Sequence, residues 1–363
     1  MTLALGPFER ARIEEQRRLF ALCFPEAADR ISATAGHYQW KYERFPADGV
    51  CEYVAEDQQE LVGYYAALPY RYLHQDRRLV GGLVCDVMTH PGRRGQGIFT
   101  KLGRFATDSL AAHGVDFVTG YPIRAPVIPG HVRVGWRVAF KLPMYVRLLN
   151  VEHVFAEGWR RRLARLLGPG LRSYGALCEA VLLRAKRSAA VTASSERQAW
   201  LESDEYRQFI AAWTSQQTLA LCKDAQFMKW RLGAPEARCV ITVVRQEGVP
   251  AAVAVARPEV LRGIPVLAVL DVMFLTTGGG GVAPAVLECM HRMLRIKCEE
   301  LRLEGIVAMI SARLARRYGF LRAGFLRTPF VFRFIYKPLS SRVDDRLLGD
   351  ESNWHLTWID SDH

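Results

Sequence analysis

The chain has 363 residues, half of them apolar on a broad count, enough to fill the cores of two domains. Lysine and arginine outnumber aspartate and glutamate 49 to 37, a net charge of +12 that suits phosphorylated ligands, anionic lipid or nucleic acid. The arginines are spread along the chain, and neither a zinc-finger spacing nor an RNP-like aromatic motif occurs, so nucleic acid is not the expected partner. No apolar run approaches the ~18 residues of a membrane helix. The eight cysteines are scattered without a C-x-x-C pair, which argues against a zinc site and against a disulfide framework. Reduced thiols, and the lack of a signal-type apolar core within Met1 to Arg18, give a cytoplasmic expectation.

In chain order, Phe8 to Phe24 reads as a helix and His37 to Tyr42 as a short aromatic helix or turn. Cys51 to Ala55 and Leu61 to Leu68 read as strands around the polar turn Glu56 to Glu60. Arg71 to His74 and Leu79 to Thr89 continue the sheet across a hairpin turn, Gln75 to Arg78. A helix from about Ile98 to His113 follows, then a strand, Val115 to Gly120, ended by Tyr121-Pro122. A weak helix over Val127 to Val134, disturbed by Pro129-Gly130, and a closing strand, Leu142 to Leu149, complete the unit.

The stretch Leu83 to Leu102 organises this half. A short apolar strand ends at His90-Pro91-Gly92, and Arg93-Arg94-Gly95-Gln96-Gly97 then opens a helix with apolar residues at Ile98, Leu102, Phe105 and Leu110. Strand, basic glycine turn and helix start direct backbone N–H groups and the positive helix end to one place, which suits phosphate; the bland alternative is a structural β-turn-α. The spacing resembles the acyl-CoA signature of the GNAT acetyltransferases, Arg/Gln-x-x-Gly-x-Gly/Ala, written here Arg94-Gly95-Gln96-Gly97-Ile98-Phe99. Phe99 departs from the small residue usual there; it either narrows the approach to the pyrophosphate or points into the sheet. The resemblance implies that Arg94, Gly95, Gln96, Gly97 and Ile98 hold the pyrophosphate, with Phe99 beside them. It also implies that the backbone of Val87, Met88 and Thr89 bonds the pantetheine arm of acetyl-CoA or another acyl-CoA.

The pattern then repeats. Phe227 to Arg231 echoes Tyr38 to Lys41, Cys239 to Arg245 and Val249 to Arg257 echo the first strand pair, and Val269 to Met273 echoes Val84 to Met88. A helix from Ala283 to Cys298, a strand from Leu301 to Val307 and a closing strand from Phe330 to Tyr336 follow. The second turn, Thr276 to Gly281, has four glycines but no arginine, so the cofactor is assigned to the first half. Between the halves, Trp159 to Leu167 is a basic amphipathic helix and Leu171 to Ala185 a second one; they read as a linker pair exposing arginines to water, or as a peripheral membrane contact through 159–187. Ser188 to Arg197 reads as a mobile linker.

These features resemble the tandem GNAT-like proteins found in bacterial polysaccharide gene neighbourhoods. The implied fold is α/β (α+β), two tandem units, each a mixed, largely antiparallel sheet flanked by helices. The expected domains are an acyl-CoA-binding unit at 1–150, a basic helical linker at 151–200, and a degenerate second unit with its tail at 201–363. The implied activity is acyl-CoA-dependent N-acyl transfer, most simply of acetyl, by direct attack of a small-molecule primary amine and without a metal. An amino sugar is the preferred acceptor and an amino-acid or peptide amine the second; a non-catalytic binding module is the reading from another class. Asp86 on the motif strand is a candidate general base, with burial expected to raise its pKa, although Asp271 at the same place in the second half points to a shared structural role. Tyr121 is a candidate donor to the leaving thiolate, or a packing residue; His131 and His90 are further possibilities. The C-terminal stretch Asn353 to His363 carries two tryptophans that favour a docked tail, with Asp360 and Asp362 expected to face solvent.

Overall fold

A computed structural model describes residues 3–27, 30–47, 49, 51–149, 190–235, 237–277 and 280–362. The chain opens with β1 (Leu3–Pro7), a strand not anticipated, which pairs antiparallel with β2 (Cys51–Asp57). The helix expected from Phe8 therefore starts later, as α1 (Ile13–Cys23), and buries Gln16, Leu19, Phe20 and Cys23 on one face. The short α2 (Ala35–Tyr38), capped by the Thr34 side chain, passes into a π-turn over Gln39–Glu43 that buries Trp40, Lys41 and Tyr42. β3 (Glu60–His74) and β4 (Arg77–Thr89) extend the meander, β3 running unbroken where two strands were expected. Then come α3 (Ile98–Ala112), β5 (Phe117–Gly120), α4 (Ile128–Arg133) and β6 (Arg137–Leu148).

The second half repeats this order with β7 (Val191–Glu196), α5 (Asp204–Ser215), β8 (Ala220–Leu221), α6 (Ala225–Leu232), β9 (Val240–Gln246), β10 (Val249–Leu261) and β11 (Ile264–Phe274). It continues through α7 (Pro284–Glu300), β12 (Gly305–Met309), α8 (Ala312–Arg317), β13 (Leu326–Pro338) and α9 (Asp345–Gly349). The stretch expected to be a mobile linker supplies β7, an edge strand paired with β9 from Val191–Gln246 to Glu196–Ile241. The two basic helices expected within 159–187 lie outside the described residues.

Among the described residues the strands form one sheet, ordered β1-β2-β3-β4-β5-β13-β6-β12-β11-β10-β9-β7, with β8 added against β3. β4–β5 and β11–β12 are parallel and the other pairings antiparallel, the mixed sheet expected. The closing strands are exchanged. β13, from the second half, pairs with β5, while β6, from the first, pairs with β12; β13 and β6 pair with each other at the centre. The boundary expected at residue 150 thus follows a strand that already belongs to the other unit's side of the sheet.

A second contact joins the halves. The Trp40 and Trp230 rings stack at 5.2 Å and 12°, and each indole N–H donates to the other residue's carbonyl oxygen, at 2.7 and 2.8 Å. Both sit at equivalent places in the repeat, so the interaction is reciprocal.

The C-terminal segment is docked, as its tryptophans suggested. Trp354 lies against the rings of Tyr72, Phe117 and Phe334 and donates its indole N–H to the Leu348 carbonyl at 3.1 Å. The solvent-facing expectation for its aspartates is overturned. Asp360 is 1% exposed and accepts the Thr357 N–H at 2.8 Å; Asp362 lies 3.3 Å from the Lys41 ammonium. Burial raises the Asp360 carboxyl to about 6, aided by the neighbouring Asp271 and opposed by Lys223. They are held inside because the backbone around them is satisfied by the core: Arg231 donates to the Ile359 and Ser361 carbonyls.

Two stability measurements follow. Trp230→Phe keeps the ring but orphans the Trp40 carbonyl, and should cost about 1–2 kcal/mol in chemical unfolding, against about 3–5 kcal/mol for Trp230→Ala. A raised carboxyl binds its proton more tightly in the folded state, so its contribution is complete below the unfolded value and lost as pH rises through about 6. Asp360→Asn should therefore stabilise the fold on the order of 2 kcal/mol at pH 7.5, and hardly at pH 4, in urea titrations at both pH values.

Candidate functional site

The parallel pairing of β4 with β5 runs only from Gly81–Phe117 to Leu83–Thr119. Beyond it β4 turns away, because the register against β3 slips between Tyr64–Met88 and Ala66–Cys85, where Asp86 and Val87 oppose a single residue. Asp86 holds φ +48°, an unusual conformation for a residue with a side chain. The gap opens into a cavity of about 750 Å³ whose walls come from both halves and from the tail. β4 gives Val84 to Val87; β5 and its extension give Gly120 to Arg124; α1 gives Phe20; the second half gives Arg231 and Arg257 to Leu261; the tail gives Trp358 and Asp362.

The expected turn lies past the end of β4. A 3-10 turn, Pro91–Arg93, leads to Gly95 and Gly97, both with positive φ (80° and 77°), and Gly97 caps α3. Nothing stands within 4 Å of where a Cβ would be on either glycine, so the face of the turn is open. The first intrahelical bond runs from Lys101 N–H to the Gly97 carbonyl, leaving the N–H groups of Ile98, Phe99 and Thr100 without helical acceptors. Arg94 is exposed beside them, whereas Arg93 is drawn to Asp57 at 3.3 Å. The Thr89 hydroxyl, next to the turn, is buried with no hydrogen-bond partner. An open array of donors, a guanidinium and an orphaned hydroxyl at a strand gap fit a phosphorylated cofactor with a polar arm. Phe99 does not point into the turn: its ring lies on Gly130, where an added Cβ would come within 2.7 Å, and meets His131 edge-on at 5.0 Å. It forms part of the cavity wall.

The pKa expected for Asp86 is reversed. Burial alone would raise it, but the Lys41 ammonium at 3.2 Å and the Tyr42 hydroxyl at 2.5 Å hold the carboxyl below its ordinary value. Lys41 also bonds Asp362, so two carboxylates share one buried ammonium. Asp271 in the second half likewise bonds a buried lysine, Lys223, at 2.7 Å, and takes the Thr357 hydroxyl at 2.9 Å. Sequence reasoning missed Lys41; the only signal was its place beside the repeated tryptophan. Tyr121 lines the cavity, packs on Phe334, and is kept protonated because burial pushes its hydroxyl far up. Cys85 is held as a thiol in the same way. His90 faces its own turn, accepting the Gly92 N–H at 3.2 Å, while His131 lines the cavity. His37, which sequence reasoning did not single out, lines it too.

The second half lacks an equivalent opening among the described residues. Its gap between β11 and β12 is occupied by the tail, where His355 meets the Val272 carbonyl and Thr357 bridges to Ile310. Its turn spends its polar groups internally: Gly280 N–H bonds the Thr277 carbonyl, Thr277 N–H bonds the Gly281 carbonyl, and Arg317 donates to the Gly280 carbonyl. Pro284 at the first helical position offers no N–H.

Comparison with known proteins agrees with this geometry. Residues 7–139 match the family model described as acetyltransferase (GNAT) domain. No curated protein sequence matches the chain. A GCN5-related N-acetyltransferase from Anabaena variabilis superposes with a TM-score of 0.62 at 10% identity, over 93% of this chain and 73% of its own. Saccharomyces cerevisiae N-myristoyltransferase with bound myristoyl-CoA gives 0.58 at 11% identity, over 93% and 79%. A tandem GNAT protein from the clavulanic acid biosynthesis pathway gives 0.55 at 14%, over 94% of this chain and all of its own. At such identities the likeness is one of fold. The molecule has the fold of a tandem of two GNAT-like units, and most of its first half matches the model of the acetyltransferase (GNAT) domain.

Proposed function

We propose that the chain is an acyl-CoA-dependent N-acyltransferase in which the first unit binds the acyl-CoA and the second completes the acceptor cavity. The observation that carries this reading is the junction of an open, donor-rich turn, Arg94 to Ile98, with a strand gap that leads into the cavity. In it, the turn N–H groups and Arg94 hold the pyrophosphate, and Val87, Met88 and Thr89 bond the arm along the freed edge of β4. Phe99 borders the arm from α4's side rather than obstructing the phosphate.

The bound cofactor supplies a thioester, and the chain's residues orient it toward the amine. The amine nitrogen forms a bond to the thioester carbon, the carbon–sulfur bond breaks, and the Tyr121 hydroxyl gives a proton to the departing sulfur. Asp86 serves as the fixed anion that holds Lys41 and shapes the cavity, because a carboxylate tied to an ammonium and a hydroxyl is a poor proton acceptor. Cys85 keeps its proton, which favours direct attack over an acyl-cysteine. An amino sugar remains the preferred acceptor from the family resemblance, with an amino-acid or peptide amine as the second.

Calorimetry with acetyl-CoA should give one equivalent bound by the wild type and none by Gly97→Glu, which places a strained, negative side chain in the turn. Two equivalents would return a cofactor role to the second half. No binding of any acyl-CoA would favour the non-catalytic module instead. In a free-thiol release assay over a panel of amines, Tyr121→Phe should lower kcat about 10²-fold while leaving the KM for acyl-CoA unchanged.

A further inference from the structure

Acyl transfer to an amine also requires a group in the cavity that accepts the amine's proton. Most of the ionisable groups lining this cavity are committed elsewhere. Asp86 and Asp362 share Lys41, Glu26 is bonded by Arg124, and Glu259 by Arg257. Cys85 and Tyr121 retain their protons. Two imidazoles remain, His37 and His131. His131 is 6% exposed and set edge-on between the rings of Phe99 and Trp136, at 5.0 and 4.9 Å.

His37 is placed differently. It is half-buried on the cavity wall, about one helical turn before Lys41, and its ring nitrogens have no hydrogen-bond partner among the described residues. Its ring lies 5.0 Å from that of Trp40, which Trp230 clamps from the other half. The helix that carries it widens into a π-turn directly afterwards, a rare departure that recurs at functional sites. That turn carries Lys41 and Tyr42, both bonded to Asp86, so the imidazole is held beside the bulge of β4. Lys41, Arg17 on α1 and Arg231 on α6 face it as cations, and Asp86 faces it as the anion. Burial first, and then Lys41, push its pKa down to about 4, so the ring is uncharged at neutral pH.

We propose that His37 is the general base of the transfer, an inference that rests on the acyltransferase reading. As the amine nitrogen bonds to the thioester carbon, its proton passes to a ring nitrogen of His37 and from there to water. Tyr121, having protonated the sulfur, recovers a proton from water, so one amide, one free thiol and one released proton result. The second half positions this base through the Trp40–Trp230 pair.

The test compares the wild-type chain with His37→Gln, His37→Asn and His131→Gln, measuring thiol release with acetyl-CoA and an amine that the wild type acetylates. Both His37 variants should lose about 10²-fold or more in kcat, with acetyl-CoA binding by calorimetry unchanged. With an amine that is uncharged across this range, wild-type kcat should be level between about pH 6 and pH 8, whereas the His37 variants should gain rate with rising pH as hydroxide takes over as the base. His131→Gln should stay within a few-fold of the wild type. Unaltered kcat in the His37 variants, loss of acetyl-CoA binding in both, or a collapse of rate in His131→Gln alone would each overturn the assignment. Turnover of no amine by a wild type that binds acetyl-CoA would overturn both this inference and the enzymatic reading beneath it.

Discussion

The reciprocal pair of Trp40 and Trp230 is the contact on which the cavity depends. Each indole satisfies a carbonyl in the opposite half, so neither helix can rotate without leaving a buried acceptor unpaired. Trp40 is followed at once by Lys41 and Tyr42, whose ammonium and hydroxyl fix Asp86. Trp230 is followed by Arg231, which holds the tail by its carbonyls. One stacked pair thereby sets the bulge of β4 from one side and the tail from the other. Its equivalence in sequence makes the arrangement nearly symmetric at the centre and different at the edges.

That difference is where the two units part chemically. Both have a parallel strand pair with an aspartate on the inner strand and a lysine bonded to it. In the first, the gap stays open and meets an exposed turn; in the second, His355, Thr357 and their neighbours fill it. The Lys223–Asp271 pair is fully buried, and a buried ion pair persists only when every remaining lone pair finds a donor. Thr357 provides one. The tail is thus both the stopper of one gap and a wall of the other cavity, where Asp362 reaches Lys41.

Much of this was legible in the sequence because it is local. Apolar runs gave most strands, and the Arg94-Gly95-Gln96-Gly97 turn with the spacing of Ile98, Leu102 and Leu110 gave the turn and α3, since glycine conformation and helical periodicity are written in neighbouring residues. The repeat was readable for the same reason. What was not legible is what depends on distant partners. β1 and β7 are too short and mixed to announce themselves and exist through β2 and β9. Asp86 was expected to have a raised pKa because burial is guessable from its strand; Lys41, 45 positions away, is not. Asp360 and Asp362 looked solvated because acidic terminal residues usually are, and only the carbonyl bonds from Arg231 show why they lie inside. The strand exchange has no local signature, as β6 and β13 have the same pattern whichever unit they join.

The exchange has a consequence for how the chain is made. β5 ends at Gly120, but the strand that covers its far edge, β13, begins only at Leu326. At about 5–20 residues per second of synthesis, the first unit leaves the ribosome on the order of ten seconds or more before its last strand exists. During that interval one edge of β5 and both edges of β6 are unpaired, the state in which sheets seek other strands. The nascent protein therefore has a long period of dependence on solubility or on escort, and its first half, though it comes first in the message, is the part completed last.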